Sequence, residues 1–145
     1  MGAARQVRQQ LELLVGEVHV LPVGRRLEDG ELEAEIAAAD VVSLGPGSWY
    51  TSVLPHLILP SMRRALLEAR ARRVLILNLS AQHGETDGMT AADHVRVLAD
   101  CTPDLRLDVV IADVDAVTDR AAVEAEAARM GARVAFSRVS SAQDP

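Results

Sequence analysis

Four hydroxyl-bearing side chains stand within five positions of each other, at Ser48, Tyr50, Thr51 and Ser52, directly behind Gly45-Pro46-Gly47. The two glycines let the backbone take left-handed angles and approach a ligand with no Cβ in the way, and Pro46 stiffens the turn between them. Backbone amides and hydroxyls at the start of a helix suit a phosphate, or the sugar hydroxyls of a nucleotide. The same residues also suit a plain tight turn with Ser48 as a helix cap, and the loop alone leaves both readings open. No Lys follows, so this is not a Walker loop. Tyr50 stands where G-x-G-x-x-G needs its last glycine.

A second polar set follows Asn78, which closes the otherwise apolar run Val74–Leu79. A polar amide in that setting must find a hydrogen-bond partner or cost free energy. The next stretch carries Gln82, His83, Glu85, Thr86 and Asp87 between Gly84 and Gly88. It leaves the same edge of the predicted sheet as the Gly45 loop, so the two loops should face one crevice. Thr90 and Asp93 form a predicted capping box. Thr86 and Asp87 suit turn stabilisation as well as ligand contact, and neither His83 nor His94 is assigned a catalytic role. Glu85, Asp87, Asp93 and His94 match no closed zinc spacing. Oxygen ligands of this kind would favour Mg²⁺ held mainly through a substrate phosphate.

Alternating elements position these loops. Val41–Leu44 is apolar but for Ser43, which predicts a buried parallel strand, and Val74–Leu79 is the next core strand. Residues 17–22, 107–112 and 133–136 complete a predicted set of five strands. Helical spacing of apolar residues appears over 29–39, 62–69, 90–100 and 119–130, with Gly131 as a stop signal. Strands alternating with helices predict an α/β fold: a Rossmann-like, three-layer α/β/α arrangement with a mainly parallel, doubly wound sheet. Ligands bind such sheets beyond the carboxyl ends of the strands, where the Gly45 and Asn78 loops both lie. The 145 residues suit one domain.

Composition narrows the function classes. The net charge is −6 and the fifteen basic residues are all Arg; an acidic chain without a basic stripe is not expected to bind nucleic acid. No apolar run is long enough to span a membrane and no apolar signal core opens the chain, so the expected compartment is the cytoplasm. The single Cys101 fits a reducing setting, and Asp100 and Asp104 beside it argue against a nucleophilic thiol. With one Phe, one Trp and one Tyr, the core must be aliphatic.

Ala39–Pro60, with Gly45-Pro46-Gly47-Ser48-Trp49-Tyr50-Thr51-Ser52 at its centre, resembles a signature of the gluconeogenesis-factor (YvcK-like) family. Asn78, Gln82, Gly84–Gly88 and Ala91-Ala92-Asp93-His94 resemble its second signature at the right distance. The resemblance runs from about residue 18 to about residue 137. It implies a Rossmann-like protein that binds a nucleotide sugar of the UDP-N-acetylglucosamine type. It also implies a regulatory role in carbon metabolism, cell-wall synthesis and cell shape, with no established catalysis. Gly45, Pro46, Gly47, Ser48, Tyr50, Thr51, Ser52, Asn78, Gln82, Thr86 and Asp87 are then the ligand-binding residues. Catalytic and metal-binding residues are assigned to no position.

The resemblance extends to the related 2-phospho-L-lactate transferases of deazaflavin coenzyme synthesis, and a transferase is the enzyme alternative, with Asp87 or Asp93 holding Mg²⁺. The form Gly47-Ser48-x-Tyr50-Thr51-Ser52 favours the branch without catalysis. Family members are longer and carry further Gly-rich and Asp-containing motifs that this sequence lacks. The chain therefore looks like the C-terminal half of such a protein. Leu54, Leu57, Ile58 and Leu59 offer a third alternative, an interaction or assembly fragment whose Leu54–Pro60 segment packs against the missing half or a second subunit.

Overall fold

The computed structural model describes residues 30–79, 84 and 86–138, with the side chains of Thr51 and Ser52 excepted. Helix α1 (Glu31–Ala38) opens behind Gly30, whose φ is 82°, and carries Glu31 and Glu33 in its first turn, where the helix dipole favours negative charge. It buries Ile36 and leads into strand β1 (Val41–Leu44). The chain then makes a single π-turn, Trp49–Val53, closed by the Val53 N–H donating to the Ser48 carbonyl at 3.1 Å. A short helix α2 (Leu54–Ile58) follows.

Leu59 separates α2 from α3 (Pro60–Glu68), with φ −65° and ψ 121°. That extended geometry is what the ring of a following proline imposes, and Pro60 itself suits the first helical position because its nitrogen carries no hydrogen to satisfy. Helix α3 buries Met62 and Leu66. Its carboxyl end is held by Arg73, whose Nε donates to the Leu66 carbonyl at 2.7 Å. The Nη2 of Arg73 donates to Leu67 and Ala69 at 3.2 and 2.8 Å. One guanidinium thus answers three carbonyls that a helix end leaves open.

Strand β2 (Arg72–Ile76), helix α4 (Ala91–Cys101), strand β3 (Val109–Asp113), helix α5 (Arg120–Arg129) and strand β4 (Arg133–Ser137) complete the described elements. The predicted capping box starts α4: Asp93 N–H donates to Thr90 Oγ1 at 3.1 Å while Asp93 Oδ2 accepts from Thr90 N–H at 2.7 Å. Asp119 caps α5 by accepting from Ala122 N–H at 3.0 Å.

The four strands lie in the order β1-β2-β3-β4 and every pair is parallel. Alternate residues face opposite sides. Leu44, Leu75, Leu77, Val110 and Ala112 join one core with Leu57, Leu66, Val95, Leu98, Val123 and Ala127 from the helices. Val74, Ile76, Val109 and Ile111 form a second buried cluster on the other face. Apolar residues buried on both faces are what a parallel sheet between layers requires. Each fully buried Leu or Val there contributes about 1.5–3 kcal/mol. The chain is a Rossmann-like α/β protein, as the alternation of elements predicts.

Three details differ from the sequence reading. The second core strand runs over Arg72–Ile76 and not Val74–Leu79, because β1 pairs from Val41 with Arg72 and the ladder begins at those polar residues. The Gly45 loop feeds a π-turn and a five-residue helix, with no long helix directly behind it. Trp49 is core, with 2% of its surface exposed. The predicted strand over 17–22 lies outside the described residues.

Candidate functional site

Gly45 ends β1 at φ 75°, and a Cβ there would sit 2.6 Å from the Ile76 carbonyl oxygen. Backbone angle and closeness to β2 both require glycine at this position. The Gly45–Pro46 peptide is cis. Two residues on, Gly47 meets Asn78. Its N–H donates to Asn78 Oδ1 at 3.0 Å, and Asn78 Nδ2 donates to the Gly47 carbonyl at 2.9 Å.

The β1–β2 register explains this pair. Val41 faces Arg72 and Leu44 faces Leu75, an offset of 31 residues that also relates Gly47 to Asn78. Once the backbone ladder ends, the amide side chain of Asn78 supplies the two hydrogen bonds that a further strand residue would have made. This answers the demand that a half-buried amide at a strand end creates. It also occupies the Gly47 N–H, so Asn78 and Gly47 hold the loop's shape. Ser48 is half-buried and Tyr50 is 50% exposed. Pro46 is exposed at the tip.

Thr86 is buried, and its carbonyl accepts from Met89 N–H at 3.0 Å. Asp87 is exposed and accepts from Gly84 N–H at 2.8 Å, which is the turn-stabilising geometry that its sequence position also suits. The expectation for Gln82 lies outside the described residues, as do those for His83, Glu85 and the side chains of Thr51 and Ser52. Among the described residues, no group of three or more His, Cys, Asp or Glu side chains is placed to hold a metal ion. Asp93 is engaged by its cap and by an ion pair with Arg96. The Thr90 amide and hydroxyl, with Arg96 beside them, hold its carboxyl below the ordinary value of 3.8.

Next to Asn78 a cavity of about 340 Å³ opens at the carboxyl ends of β2 and β3. Leu77–Leu79 and Asp113 form its floor, Met89–Ala92 and His94 one wall, and Ala116–Asp119 with Ala122 and Val123 the other. Asp113 is 4% exposed, and its Oδ1 accepts from the N–H groups of Asp115 and Ala116 at 2.8 and 3.2 Å, closing the turn after β3. His94 is 7% exposed and meets the Trp49 ring edge-on, with centroids 5.1 Å apart. Its Nδ1 lies 2.8 Å from the Thr90 carbonyl. A carbonyl can only accept, so Nδ1 carries the hydrogen.

Of the cavity-lining polar residues, only Asn78 was a sequence-predicted site residue. Asp113 carried the same signal, a polar residue closing an apolar strand, and could have been found by it. Thr118 and Asp119 carried no signal beyond a helix cap. Neither Thr86 nor Asp87 lines the cavity. No helix among the described residues is long and apolar enough to cross a membrane, and Cys101 is exposed as a free thiol.

Comparison with known proteins agrees with this architecture. The model of the family described as 2-phospho-L-lactate transferase CofD matches residues 6–142. A putative gluconeogenesis factor of Mycobacterium tuberculosis (strain CDC 1551 / Oshkosh) is 39% identical over 128 residues, covering 86% of this chain and 37% of that protein. The gluconeogenesis factor of Halalkalibacterium halodurans is 52% identical over 69 residues, 48% of this chain and 21% of the relative. A crystal structure of a UPF0052-family protein from Bacillus halodurans superposes with a TM-score of 0.63 at 31% identity, over 75% of this chain and 39% of that one. The chain thus spans little more than a third of the length of the mycobacterial relative.

Proposed function

Because the chain belongs to the 2-phospho-L-lactate transferase CofD family and its curated relatives carry the name gluconeogenesis factor, we propose that it is the C-terminal part of such a factor and forms one wall of a nucleotide-sugar site. The ligand is of the UDP-N-acetylglucosamine type. Its binding serves regulation of carbon metabolism, cell-wall synthesis and cell shape in the cytoplasm. The observation that carries the reading is the Gly45–Ser48 loop, held in register by Asn78 just beyond a parallel strand, Asn78 itself also lining a cavity of about 340 Å³. Crevices beyond strand ends are where open α/β sheets take nucleotides. Under this reading Ser48 and Tyr50 supply hydroxyls to the diphosphate and sugar, and the family resemblance adds Thr51, Ser52, Gln82, Thr86 and Asp87 as further contacts.

A ligand that binds only the folded state raises its stability. Thermal unfolding with UDP-N-acetylglucosamine should therefore show a concentration-dependent rise in midpoint that GDP at equal concentration does not match. Equal responses to both, or none to either, would remove the proposal. The transferase reading is favoured by the description of the matched family alone. Turnover of a nucleotide-activated phospholactate in the presence of Mg²⁺ would establish it instead.

A further inference from the structure

The second buried cluster of the sheet has no helix packed on it among the described residues. Every described helix serves the opposite face: Ile36 of α1, Leu57 of α2, Leu66 of α3, Leu98 of α4 and Val123 of α5 all join the first core. The topology makes it so. The strands lie in sequence order and all parallel, and right-handed crossovers between successive neighbours place their helices on one side of the sheet. Yet Val74 and Ile111 are 0% exposed, Val109 2% and Ile76 3%. On a bare sheet face these side chains would meet water, so chain outside the described residues covers them.

The burial pattern gives the size of that cover. Only β2 and β3 are sealed, while Val41 on β1 and Ala135 on β4, packed against the same cluster, are half-buried. Arg72 and Arg133, which alternation and register put on this face at its amino end, are exposed. The footprint is therefore two strands wide, about 10 Å, and no longer than the five residues of β2 or β3, about 16 Å. A single α-helix is about 10–12 Å across, and some three turns of it reach about 16 Å.

Few stretches of the chain can supply it. Residues 80–83 and 85 follow the carboxyl end of β2 and are polar but for Ala81. Residues 139–145 are short and mostly polar, and 24–29 hold Leu27 among charged neighbours. Residues 17–22 carry a strand pattern. Arg5–Val15 remains, eleven residues in which Val7, Leu11, Leu14 and Val15 recur at i, i+4, i+7 and i+8, with Gly16 as a stop signal. We propose that Arg5–Val15 forms an amphipathic helix that lies across β2 and β3 and supplies the third layer of the fold. A face so covered is closed to a second subunit, and any self-association must use another surface.

Nuclear Overhauser contacts in the full, methyl-labelled chain test this without any substitution. The methyl groups of Leu11 and Leu14 should contact those of Val74, Ile76, Val109 and Ile111, and Leu13, which helical spacing puts on the far side, should not. Contacts from this face to residues 17–29 or 139–145 in place of Leu11 and Leu14 would overturn the assignment. So would contacts to a second copy, read from a sample of mixed labelling, or no contact from Leu11 and Leu14 at all. Urea unfolding gives a second measure. Leu11→Asp should lower the folding equilibrium constant about tenfold or more, as loss of a buried Leu does, while Leu13→Asp should leave it nearly unchanged. Equal losses from the two variants would contradict the proposed helix face.

Discussion

Replacing Asn78 separates a residue that shapes the loop from one that merely fills space. In Asn78→Ala the Gly47 N–H and carbonyl each lose a partner, at 3.0 and 2.9 Å. A typical intramolecular hydrogen bond contributes about 0.5–1.5 kcal/mol net. The position is half-buried, so water can reach part of what is exposed, and the expected loss is about 2 kcal/mol for the pair. Asn78→Asp is the more telling change. It keeps an acceptor for the Gly47 N–H but sets a carboxylate oxygen against the Gly47 carbonyl where an N–H had donated. The lost bond and the opposed oxygens together should cost about 2–4 kcal/mol at neutral pH.

Protonation of the introduced carboxyl restores a donor. Its folded pKa should therefore be raised, and the penalty relative to wild type should shrink as the pH falls through that value. Urea denaturation, with the slope checked for constancy, measures both variants at several pH values. Asn78→Ala within about 0.5 kcal/mol of wild type, or Asn78→Asp no less stable than Asn78→Ala at neutral pH, would refute the view that this side chain continues the strand pairing.

Gly45→Ala should be worse than an ordinary loop substitution, because φ is 75° and the new Cβ would lie 2.6 Å from the Ile76 carbonyl oxygen. The left-handed angle and the displaced backbone together predict a loss of about 2–4 kcal/mol in the same assay. Gly84→Ala, at φ 80° with open space around it, should lose only about 1–2 kcal/mol. Asp93 carries a depressed pKa from its bonds to Thr90 and its pairing with Arg96, so it stabilises the fold above its ordinary value of 3.8 and less as the pH falls through the lower folded value. Asp93→Asn should accordingly flatten the acid limb of the stability curve below about pH 4, and an unchanged limb would contradict the assignment.

Much of this fold was legible because parallel strands and amphipathic helices write themselves as apolar runs and periodic stripes. Val41–Leu44 is a strand as expected, although only Leu44 is buried and Ser43 is exposed, and α4 and α5 announce their starts through Thr90, Asp93 and Asp119. The start of β2 was not legible: Arg72 and Arg73 look like a solvated helix end, and their place in the ladder follows from pairing with Val41 and Val42. The π-turn escaped because Pro55 and Pro60 interrupt any period that the segment from Trp49 could show. For the site, the Gly45 loop and Asn78 were both picked out as residues, but that they bond to each other depends on the strand register. The cavity was invisible for a related reason. Asp113, His94 and Thr118 come from three separate parts of the chain, and only the sheet order makes them neighbours.

The account rests most heavily on the Gly45–Ser48 loop and its neighbouring cavity acting as one wall of a nucleotide-sugar site. Titrating the isotope-labelled chain with UDP-N-acetylglucosamine tests this most directly. The account predicts saturable shifts at the amides of Ser48 and Tyr50 and at Thr118, and a clearly weaker response to GDP. Shifts scattered away from both loop and cavity, or an identical response to the two nucleotides, would contradict it.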